Sequence, residues 1–576
     1  MTPRKMAVPR GQVAPEALDA CISDASMLDV RIRNELGTWR ALGRRLIAEQ
    51  WSEYQTLSAE LDRLVTARRY KEAIPAAQIA ANYAGIWHCG MFACASLERR
   101  IRQIGEALLP TEGARPARSD RLRILHIASD VGVIGGHARM LQRWIGRDLG
   151  NTHSVALTRQ SQRPSEALIA AASATGGAVR SINRRPGGIV AWARELQVAI
   201  GRSDIVVLHV ANYDIVPFLA LAGMRRRPPV VLLDHADHQF WLGAEFVDAV
   251  VSSRRSGQMH RANRRGISPD RGLSLPLCLD EVERRGSRTE ARRALRLPED
   301  ARIILTIARG EKYRPIGETG FADALVPLLR GDPRALLVAI GPGGRADWSA
   351  AMRAVPGQII MLPERPDNRL FLESADIYLD TFIFASITCL LEAGLSGLPL
   401  VTYSPFGPGC EVMGADSLGM DDVLMRASSI SELHRQLRAL LDDPGLRGAL
   451  GARTRDAIEA THTGANWTRT LSELYGRILG LPRYSARSSG GIDLAEGPSF
   501  SDIDLFWPFV FVPAAGALSR ERRIAYATEL ALRVMPPVRR AMILADLAAK
   551  GRIAFRPRGA AWRYMLPEFL IARLRT

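Results

Sequence analysis

The sequence predicts an α/β protein with two doubly wound parallel sheets. Two series of short apolar runs, each long enough for one buried strand, occupy the middle of the chain. Helix-length segments separate most of these runs, and this alternation is typical of βαβ units and of parallel sheets. A glycine-containing loop at residues 130–136 (DVGVIGG) follows the first run and precedes an amphipathic segment. We therefore expect two Rossmann-like halves in tandem.

The individual elements are predicted from apolar runs and the turn residues that bound them. A helical region comes first, at about residues 15–108, where apolar side chains recur every three or four positions. The first series of strands is predicted at residues 123–128, 153–158, 205–210, 230–234 and 247–252. The second series is predicted at residues 302–308, 335–340, 358–362, 376–380 and 399–403. A helical run over residues 431–479 then closes the second half.

These elements divide the chain into four predicted regions. A helical region covers residues 1–118, a first Rossmann-like domain 119–285, a second 286–480, and a basic helical region 498–576. Doubly wound domains bind ligands in the crevice at the carboxyl ends of their strands. We expect the two domains to face each other across a cleft that holds a nucleotide-bearing ligand.

Composition places the chain among ordinary globular proteins. Its 576 residues are 47% hydrophobic and 24% charged, which excludes collagen-like, disordered and coiled-coil classes. No run approaches the roughly 20 apolar residues that a bilayer span needs, and the first residues lack the apolar core of a signal peptide. Six scattered cysteines fit a reducing compartment. We therefore expect a cytoplasmic protein.

The net charge of +17 invites comparison with nucleic-acid-binding proteins. Only four of the 77 basic residues are lysine, however, and this skew indicates codon bias as much as selection for a polyanion. The excess is also local, since residues 519–576 contain 13 basic and four acidic side chains. With the aromatic run at 506–511, this tail is expected to dock either on the inner face of an anionic membrane or on the α/β core. Nucleic acid is the weaker candidate.

Three cations follow the first strand of the second series. The loop reads RGEKYRP from Arg309 to Pro315, at the carboxyl end of the strand, where a bound diphosphate would need neutralising. In a chain that has almost replaced lysine by arginine, Lys312 indicates a need for a compact point charge. A solvated surface loop is the alternative interpretation.

Hydroxyl and carboxylate side chains follow the predicted strand at residues 376–380. Ser386 and Thr388 lie at the start of a predicted helix, where hydroxyls and free backbone N–H groups can bind phosphate oxygens. Ordinary N-capping explains one of the two hydroxyls. Glu392 lies on the same helix face as Thr388, and a ribose diol would supply two donors to its carboxylate. A glutamate on a solvated helix face is the alternative.

Five segments together resemble the GT-B glycosyltransferases, and most of all their family 4-like group. They read GGHARMLQRWIGRD, VLLDHADHQFWLG, TIARGEKYRP, ASITCLLEAGLSGLPLV and LLDDPGLRGALGARTRDAIEATHTGANWTRTLSELYGRIL. The resemblance covers roughly residues 121–479. It implies transfer of a sugar from a nucleotide-activated donor, with the acceptor in the first domain and the donor mainly in the second.

The resemblance also implies roles for single residues. Arg309 and Lys312 would neutralise the donor diphosphate as catalytic residues, and Glu392 would hold the ribose hydroxyls. The other donor-binding residues would be Gly135, Gly136, Ser386, Ile387 and Thr388. No cofactor is implied, since the nucleotide-diphosphate sugar is a co-substrate, and no metal is implied either.

Two positions depart from the family pattern. Phe384 stands eight residues before Glu392, where the resemblance predicts the first glutamate of an E-x7-E pair. Ala385 stands where a glycine is expected. The stereochemical outcome, retaining or inverting, is therefore open.

Several histidines of the first domain lie at or just beyond the carboxyl ends of predicted strands. His235 is the preferred catalytic histidine, because a side chain with a pKa near neutral can act as a base or donate a hydrogen bond. A satisfied structural histidine is the alternative. Asp234 and Asp237 beside it raise the question of a metal, but the spacing matches no zinc pattern. The acceptor-side candidates are His137, His209 and His238.

The predicted function is therefore glycosyl transfer from a nucleotide sugar to an unidentified acceptor. That acceptor is a saccharide, a lipid-linked glycan or a protein, and a bacterial surface-glycan or glycoconjugate pathway is the expected setting. One alternative is a sugar-nucleotide epimerase of the same fold. Another is a non-catalytic GT-B-like scaffold that binds nucleic acid or anionic lipid through its basic tail.

Overall fold

The computed structural model describes residues 15–114, 119–132, 136–483, 497–532, 535 and 537–549. These residues contain two sheets, one of seven strands and one of six. The chain groups into two compact units, and each unit is discontinuous in sequence. The seven-stranded unit comprises Leu42–Cys278 and Thr468–Thr576, and the six-stranded unit comprises Met1–Ala41 and Leu279–Trp467. The predicted α/β class with two Rossmann-like sheets is confirmed, whereas the four regional boundaries stay predictions.

All strands of the seven-stranded sheet are parallel, in the order β3-β2-β1-β4-β5-β6-β7. Their bounds are β1 Arg123–Ala128, β2 Thr152–Leu157, β3 Val179–Ser181, β4 Ile205–His209, β5 Val230–Asp234, β6 Ala249–Ser252 and β7 Gly272–Ser274. Every residue of β4, β5 and β6 is buried, as in sheets that helices cover on both faces. The strand order reverses between β1 and β4, and doubly wound sheets bind ligands at the carboxyl ends of such strands.

The six-stranded sheet is also parallel and has the order β10-β9-β8-β11-β12-β13. Its strands are β8 Arg302–Ile307, β9 Ala335–Ile340, β10 Ile359–Leu362, β11 Ile377–Leu379, β12 Leu400–Tyr403 and β13 Leu424–Ala427. Here the order reverses between β8 and β11. The loops that follow these two strands are those in which the sequence predicts the donor-binding residues.

Three strands were not predicted, namely β3, β7 and β13. Each is an outer strand of its sheet, and each has only three or four residues. An outer strand is covered on fewer sides, so it does not need the continuous apolar run by which the inner strands were predicted. The ten predicted strands are all present, with ends that differ by at most two residues.

Helices fill the intervals between the strands. Those before β8 are α1 Pro15–Thr66, α2 Tyr70–Ile86, α3 Ala95–Leu108, α4 Gly136–Arg147, α5 Glu166–Ala174, α6 Gly188–Gly201, α7 Val216–Ala222, α8 Arg255–Arg265 and α9 Arg288–Leu295. Those that follow are α10 Phe321–Arg330, α11 Ser349–Ala354, α12 Arg369–Ser374, α13 Ile387–Leu395, α14 Ile430–Asp442, α15 Pro444–His462 and α16 Gly464–Gly480. The tail forms α17 Asp502–Phe511, α18 Arg520–Ala531 and α19 Pro537–Ala549.

The amino-terminal helix α1 has 52 residues, and its two ends belong to different units. In the six-stranded unit, Asp29 of α1 caps α14, because its carboxylate accepts hydrogen bonds from the backbone N–H groups of Ile430 and Ser431. Asp29 also accepts from the Ser431 hydroxyl at 2.6 Å. A carboxylate at this end of a helix satisfies orphan N–H groups and meets the positive end of the helix dipole.

Part of the aromatic run at residues 506–511 is buried within the seven-stranded unit. Phe506 and Trp507 of α17 have little exposure, and the Trp507 indole N–H donates to His238 O at 2.6 Å. The ring of Phe511 stacks on the ring of His238, with 4.5 Å between their centres. These contacts correspond to docking on the α/β core, one of the two predicted modes. Membrane contact by other parts of the tail stays a prediction.

Candidate functional site

The predicted cationic loop forms a short 3-10 helix, Gly310–Tyr313, at the carboxyl edge of the six-stranded sheet. Tyr313 anchors this turn, because its buried hydroxyl lies 3.1 Å from the Thr306 hydroxyl of β8. Arg309 is exposed and lies 3.7 Å from Glu311, and Lys312 is half-buried. The structure thus holds the turn rigidly on β8 and leaves Arg309 accessible to solvent.

The ammonium group of Lys312 lies against the amino-terminal end of α13. Its Nζ donates a hydrogen bond to Ala385 O at 2.5 Å and lies 4.5 Å from the centre of the Phe384 ring. Lys312 therefore contacts both positions that depart from the pattern expected from the resemblance.

The start of α13 carries the predicted donor-binding residues. Ser386 is the N-cap residue, and no side-chain hydrogen bond caps the helix there. Ile387 and Thr388 form the first turn and are half-buried. The amino-terminal end of a helix carries about half a positive charge and backbone N–H groups that suit an anion. Lys312 adds a full charge at the same place.

Glu392 lies one helical turn beyond Thr388 and is half-buried. Burial raises the pKa of the Cys389 thiol, one turn earlier on α13, to about 11, and the charge of Glu392 adds to this rise. The thiol is therefore protonated at neutral pH, while the carboxylate of Glu392 supplies negative charge to this face of α13.

Asp380, which the sequence analysis did not select, holds the loop that leads into α13. Its two carboxylate oxygens accept from the Ser386 N–H at 3.0 and 3.3 Å, and the Thr381 hydroxyl donates to Phe384 O at 2.7 Å. Burial raises the pKa of Asp380, while the Thr381 N–H and the charge of Lys312 oppose the rise. The sequence offered one indication of this role, because Asp380 is the last residue of a predicted strand and directly precedes the loop.

A second loop that was not selected, residues 341–344 (GPGG), follows β9 and lies beside the cationic turn. Gly341 has a φ of +109°, and a Cβ there would lie 1.6 Å from Ala308 O, so only glycine fits. Arg345, which follows this loop, donates to Gly310 O at 2.7 Å. A glycine cluster directly after a buried strand was the signal that the sequence offered.

In the seven-stranded unit, part of the predicted glycine turn falls outside the described residues. Gly135 lies outside them, and so does the side chain of His137. Gly136 is the first residue of α4 and is exposed. Just before the turn, the Val131 backbone exchanges two hydrogen bonds with the Gln160 side chain, at 2.9 and 3.0 Å. The described start of this loop is therefore fixed to the chain that follows β2.

His235 follows β5 and lines a small, partly open pocket together with Asp234, Asn212 and Trp241. His235 is exposed to solvent and its Nδ1 lies 3.2 Å from Leu233 O, while the protein groups around the ring lower the pKa of His235 because they disfavour the charged form. A neutral imidazole at pH 7 can accept a proton from a hydroxyl.

Asp234 supplies the second polar group of this pocket. It is 5% exposed, and its Oδ1 accepts from the Trp241 indole N–H at 3.1 Å. Its Oδ2 has no hydrogen-bond partner among the described residues. Burial raises the pKa of Asp234 to about 7, although the charge of Arg265 opposes this. Near neutral pH the carboxyl group can therefore accept from a ligand hydroxyl or donate to it.

The structure places the other two acceptor-side candidates in packed surroundings. His238 is half-buried beneath the Phe511 ring and lies 3.5 Å from Asp237. His209, the last residue of β4, is 1% exposed. Whether a ligand reaches either histidine stays a prediction.

His209 is one end of a hydrogen-bonded chain of three buried imidazoles. His126 Nδ1 lies 2.9 Å from His209 Nε2, and His126 Nε2 lies 2.9 Å from His153 Nδ1. His153 Nε2 in turn lies 3.0 Å from an oxygen of Asp148. Burial raises the pKa of Asp148, but hydrogen bonds from His153 and Asn151 outweigh it, so the pKa lies below the ordinary value. The ionised Asp148 accepts from His153, and each further ring then donates through Nε2.

This chain predicts a dependence of stability on pH. Burial lowers the pKa of His126 well below 6.5, so the unfolded chain binds a proton at mildly acidic pH that the folded chain does not. The contribution of His126 to the free energy of unfolding is therefore fully present well above pH 6.5, and it is lost as the pH falls below that value. For one such histidine we expect a loss of about 1.4 kcal/mol between pH 7.5 and 5.5. Urea unfolding of the wild type and His126→Asn at both pH values measures it, and an equal loss in the two proteins would contradict the assignment.

The described residues lack two further features. No cluster of three histidine, cysteine, aspartate or glutamate side chains among them is arranged to hold a metal ion. A bilayer-spanning helix is likewise missing from this part of the chain, since none of its helices is both long and apolar enough.

Comparisons with known proteins find likeness only in the fold. No family model matches the chain. No curated protein matches it either. A similar solved structure is a glycosyltransferase from Rickettsia africae ESF-5, with 13% identity and a TM-score of 0.49, covering 63% of this chain and 100% of that one.

Two other solved structures are also similar to this chain in fold. One is HepE from Anabaena in complex with UDP-glucose, with 14% identity and a TM-score of 0.48, covering 62% of this chain and 100% of that one. The other is WaaG, a glycosyltransferase of lipopolysaccharide biosynthesis, with 14% identity and a TM-score of 0.41, covering 61% of this chain and 98% of that one. Glycosyltransferases are thus among the solved structures to which this chain is similar.

Proposed function

We propose that this protein transfers a glycosyl group from a nucleotide-diphosphate sugar to a hydroxyl-bearing acceptor. The observation that carries the proposal is the contact between Lys312 and the start of α13. There a point charge and the positive end of an uncapped helix meet at one edge of the six-stranded sheet. Each of the two features suits a phosphate anion, and together they suit the two phosphates of a nucleoside diphosphate.

The chemistry of the reaction explains why these groups would be catalytic. As the glycosidic bond breaks, the departing nucleoside diphosphate gains negative charge. A fixed ammonium group and fixed N–H groups stabilise that charge without reorganisation, and this raises the rate. Arg309, exposed on the same turn, supplies a further cation.

The remaining candidates take the other tasks of a transfer. Glu392, one turn along α13, would accept hydrogen bonds from the two ribose hydroxyls. His235, with its lowered pKa, would take the proton of the acceptor hydroxyl or hold that hydroxyl in place. We propose an acceptor that is a saccharide, a lipid-linked glycan or a protein, in glycan synthesis in the cytoplasm.

A thermal-shift screen tests the proposal. A ligand that binds the folded state stabilises it, by about 2.7 kcal/mol at 100 times its dissociation constant. We expect nucleoside diphosphates and their sugars to raise the melting temperature, and the matching nucleosides, which lack phosphate, to leave it unchanged. If no diphosphate has an effect at millimolar concentration, the proposal is wrong. Product analysis without acceptor then separates transfer from epimerisation.

Glu392→Gln is expected to weaken binding of the nucleoside diphosphate by about 1.5–3 kcal/mol, because a charged hydrogen bond to the ribose is lost. Calorimetry measures the change, and the 2′,3′-dideoxy diphosphate serves as the control ligand. If the glutamate binds the ribose, the substitution has no further effect on the dideoxy ligand. An equal loss for both ligands would show that Glu392 acts on the structure of α13 instead.

A further inference from the structure

We propose that Arg159 and Arg184 form a second anion site, in the seven-stranded unit, that binds a phosphate group of the acceptor. Arg159 lies two residues beyond β2, and Arg184 ends the 3-10 helix Ile182–Arg184 that follows β3. The two strands are neighbours, with Leu157 paired to Ser181. The assignment of this phosphate to an acceptor rests on the proposed function, whereas the anion site itself does not.

Both guanidinium groups have buried nitrogen atoms without a hydrogen-bond partner. Arg159 is only 9% exposed, yet its Nη1 has no partner among the described residues. The same is true of Nε and Nη2 of Arg184. Buried polar groups in folded proteins are nearly always paired, because an unpaired one loses its hydration without compensation. Two neighbouring arginines in this state therefore indicate a ligand that supplies the acceptors.

The protein groups around Arg159 do not supply them. The ring of Tyr213 offers only its face, with 5.9 Å between its centre and the guanidinium carbon. The adjacent carboxylate of Asp214 is already occupied, because it accepts from the hydroxyls of Ser129 and Thr158. It also accepts from the Val216 N–H at 3.1 Å. Among the described residues, Nη1 of Arg159 therefore has no hydrogen-bond acceptor, and a ligand could supply one.

A hydrogen bond between the two segments that carry the arginines holds these segments together. The Asn183 amide donates to Gln160 O at 3.0 Å, which ties the residue before Arg184 to the residue after Arg159. Gln160 also binds Val131, at the start of the glycine-containing loop. A guanidinium presents two parallel donors that match two phosphate oxygens, so a phosphate ester is the ligand class that this pair fits best.

Calorimetry with inorganic phosphate and glucose 1-phosphate tests the site in the full chain. We expect Arg159→Met and Arg184→Met each to weaken phosphate binding at least tenfold. The control is Arg185→Met, since Arg185 is exposed and pairs with Glu195 at 3.0 Å, and its affinity for phosphate should equal that of the wild type. Wild-type protein that does not bind phosphate, or variants that bind it equally well, would overturn the site.

Two further measurements separate this proposal from its competitors. Without ligand, Arg159→Met should unfold at the wild-type temperature or above it, because methionine keeps an apolar stem and removes an unpaired buried cation. A purely structural arginine would instead give a lower temperature. Binding of the nucleoside diphosphate that stabilises the wild type should be unchanged in both variants, and a parallel loss would show that the arginines serve the donor diphosphate. Phosphate binding without any nucleotide binding would uphold the site and refute the proposed function.

Discussion

Replacing Lys312 by alanine is expected to lower turnover about 10²–10³-fold at saturating donor, while donor binding weakens much less. The charge that Lys312 meets grows as the glycosidic bond breaks, so its loss harms the transition state more than the ground state. The structure sharpens this expectation, because Nζ is held at the start of α13 by Ala385 O and does not have to be ordered during the reaction. Steady-state kinetics and calorimetry with the same donor measure the two effects.

Two further substitutions make this test specific. Lys312→Arg is expected to rescue poorly, because a planar, delocalised guanidinium does not place a compact point charge where Nζ lies at the start of α13. Arg353→Ala removes an exposed cation from α11 of the same unit and should leave turnover unchanged. If Lys312→Ala has near-normal turnover, the loop takes no part in catalysis and is only a solvated surface loop.

Replacing Arg523 by methionine is expected to destabilise the seven-stranded unit by about 3–5 kcal/mol. Arg523 of α18 and Glu53 of α1 form an ion pair in which each side chain is only 4% exposed. Arg523 Nε donates to Glu53 Oε2 at 3.0 Å, and the Tyr83 hydroxyl donates to the same carboxylate. Removal of the guanidinium leaves a buried carboxylate without its charge partner, which is the costly case.

An ion pair on the same helix α1 is the matched control. Arg63 and Glu60 lie 2.7 Å apart on an exposed face, and Arg63→Met should cost no more than about 1 kcal/mol. Urea unfolding of both variants gives the comparison. Equal costs would mean that the tail adds little to the stability of the unit, contrary to the burial of its helices.

The sequence predicted the inner strands well, for a physical reason that can be named. A strand covered on both faces needs a continuous apolar run, and such a run is visible without a structure. Lys312 was also visible, because one of four lysines in a chain of 73 arginines stands out at the end of a strand.

Other features depend on which side chains meet, and sequence patterns do not reveal that. Arg159 and Arg184 are two arginines among 73, and only the packing shows that their nitrogen atoms lack partners. His126 and His153 are single polar residues within apolar strands, and they join His209 only because the parallel register brings β2, β1 and β4 together. The docking of the tail was left open between two modes, because its aromatic run suits a membrane as well as a protein core.

The discontinuous seven-stranded unit has a consequence for biosynthesis. Glu53 and its charge partner Arg523 are separated by 470 residues of chain. At roughly 5–20 residues per second, a ribosome needs on the order of half a minute or more to reach the arginine after making the glutamate. Until then Glu53 of helix α1 has no charge partner, and helix α2 lacks the helix α18 that packs against it in the folded unit. We therefore expect nascent chains that end before Arg523 to depend on chaperones, and to acquire protease resistance only once the segment that contains Arg523 has been made.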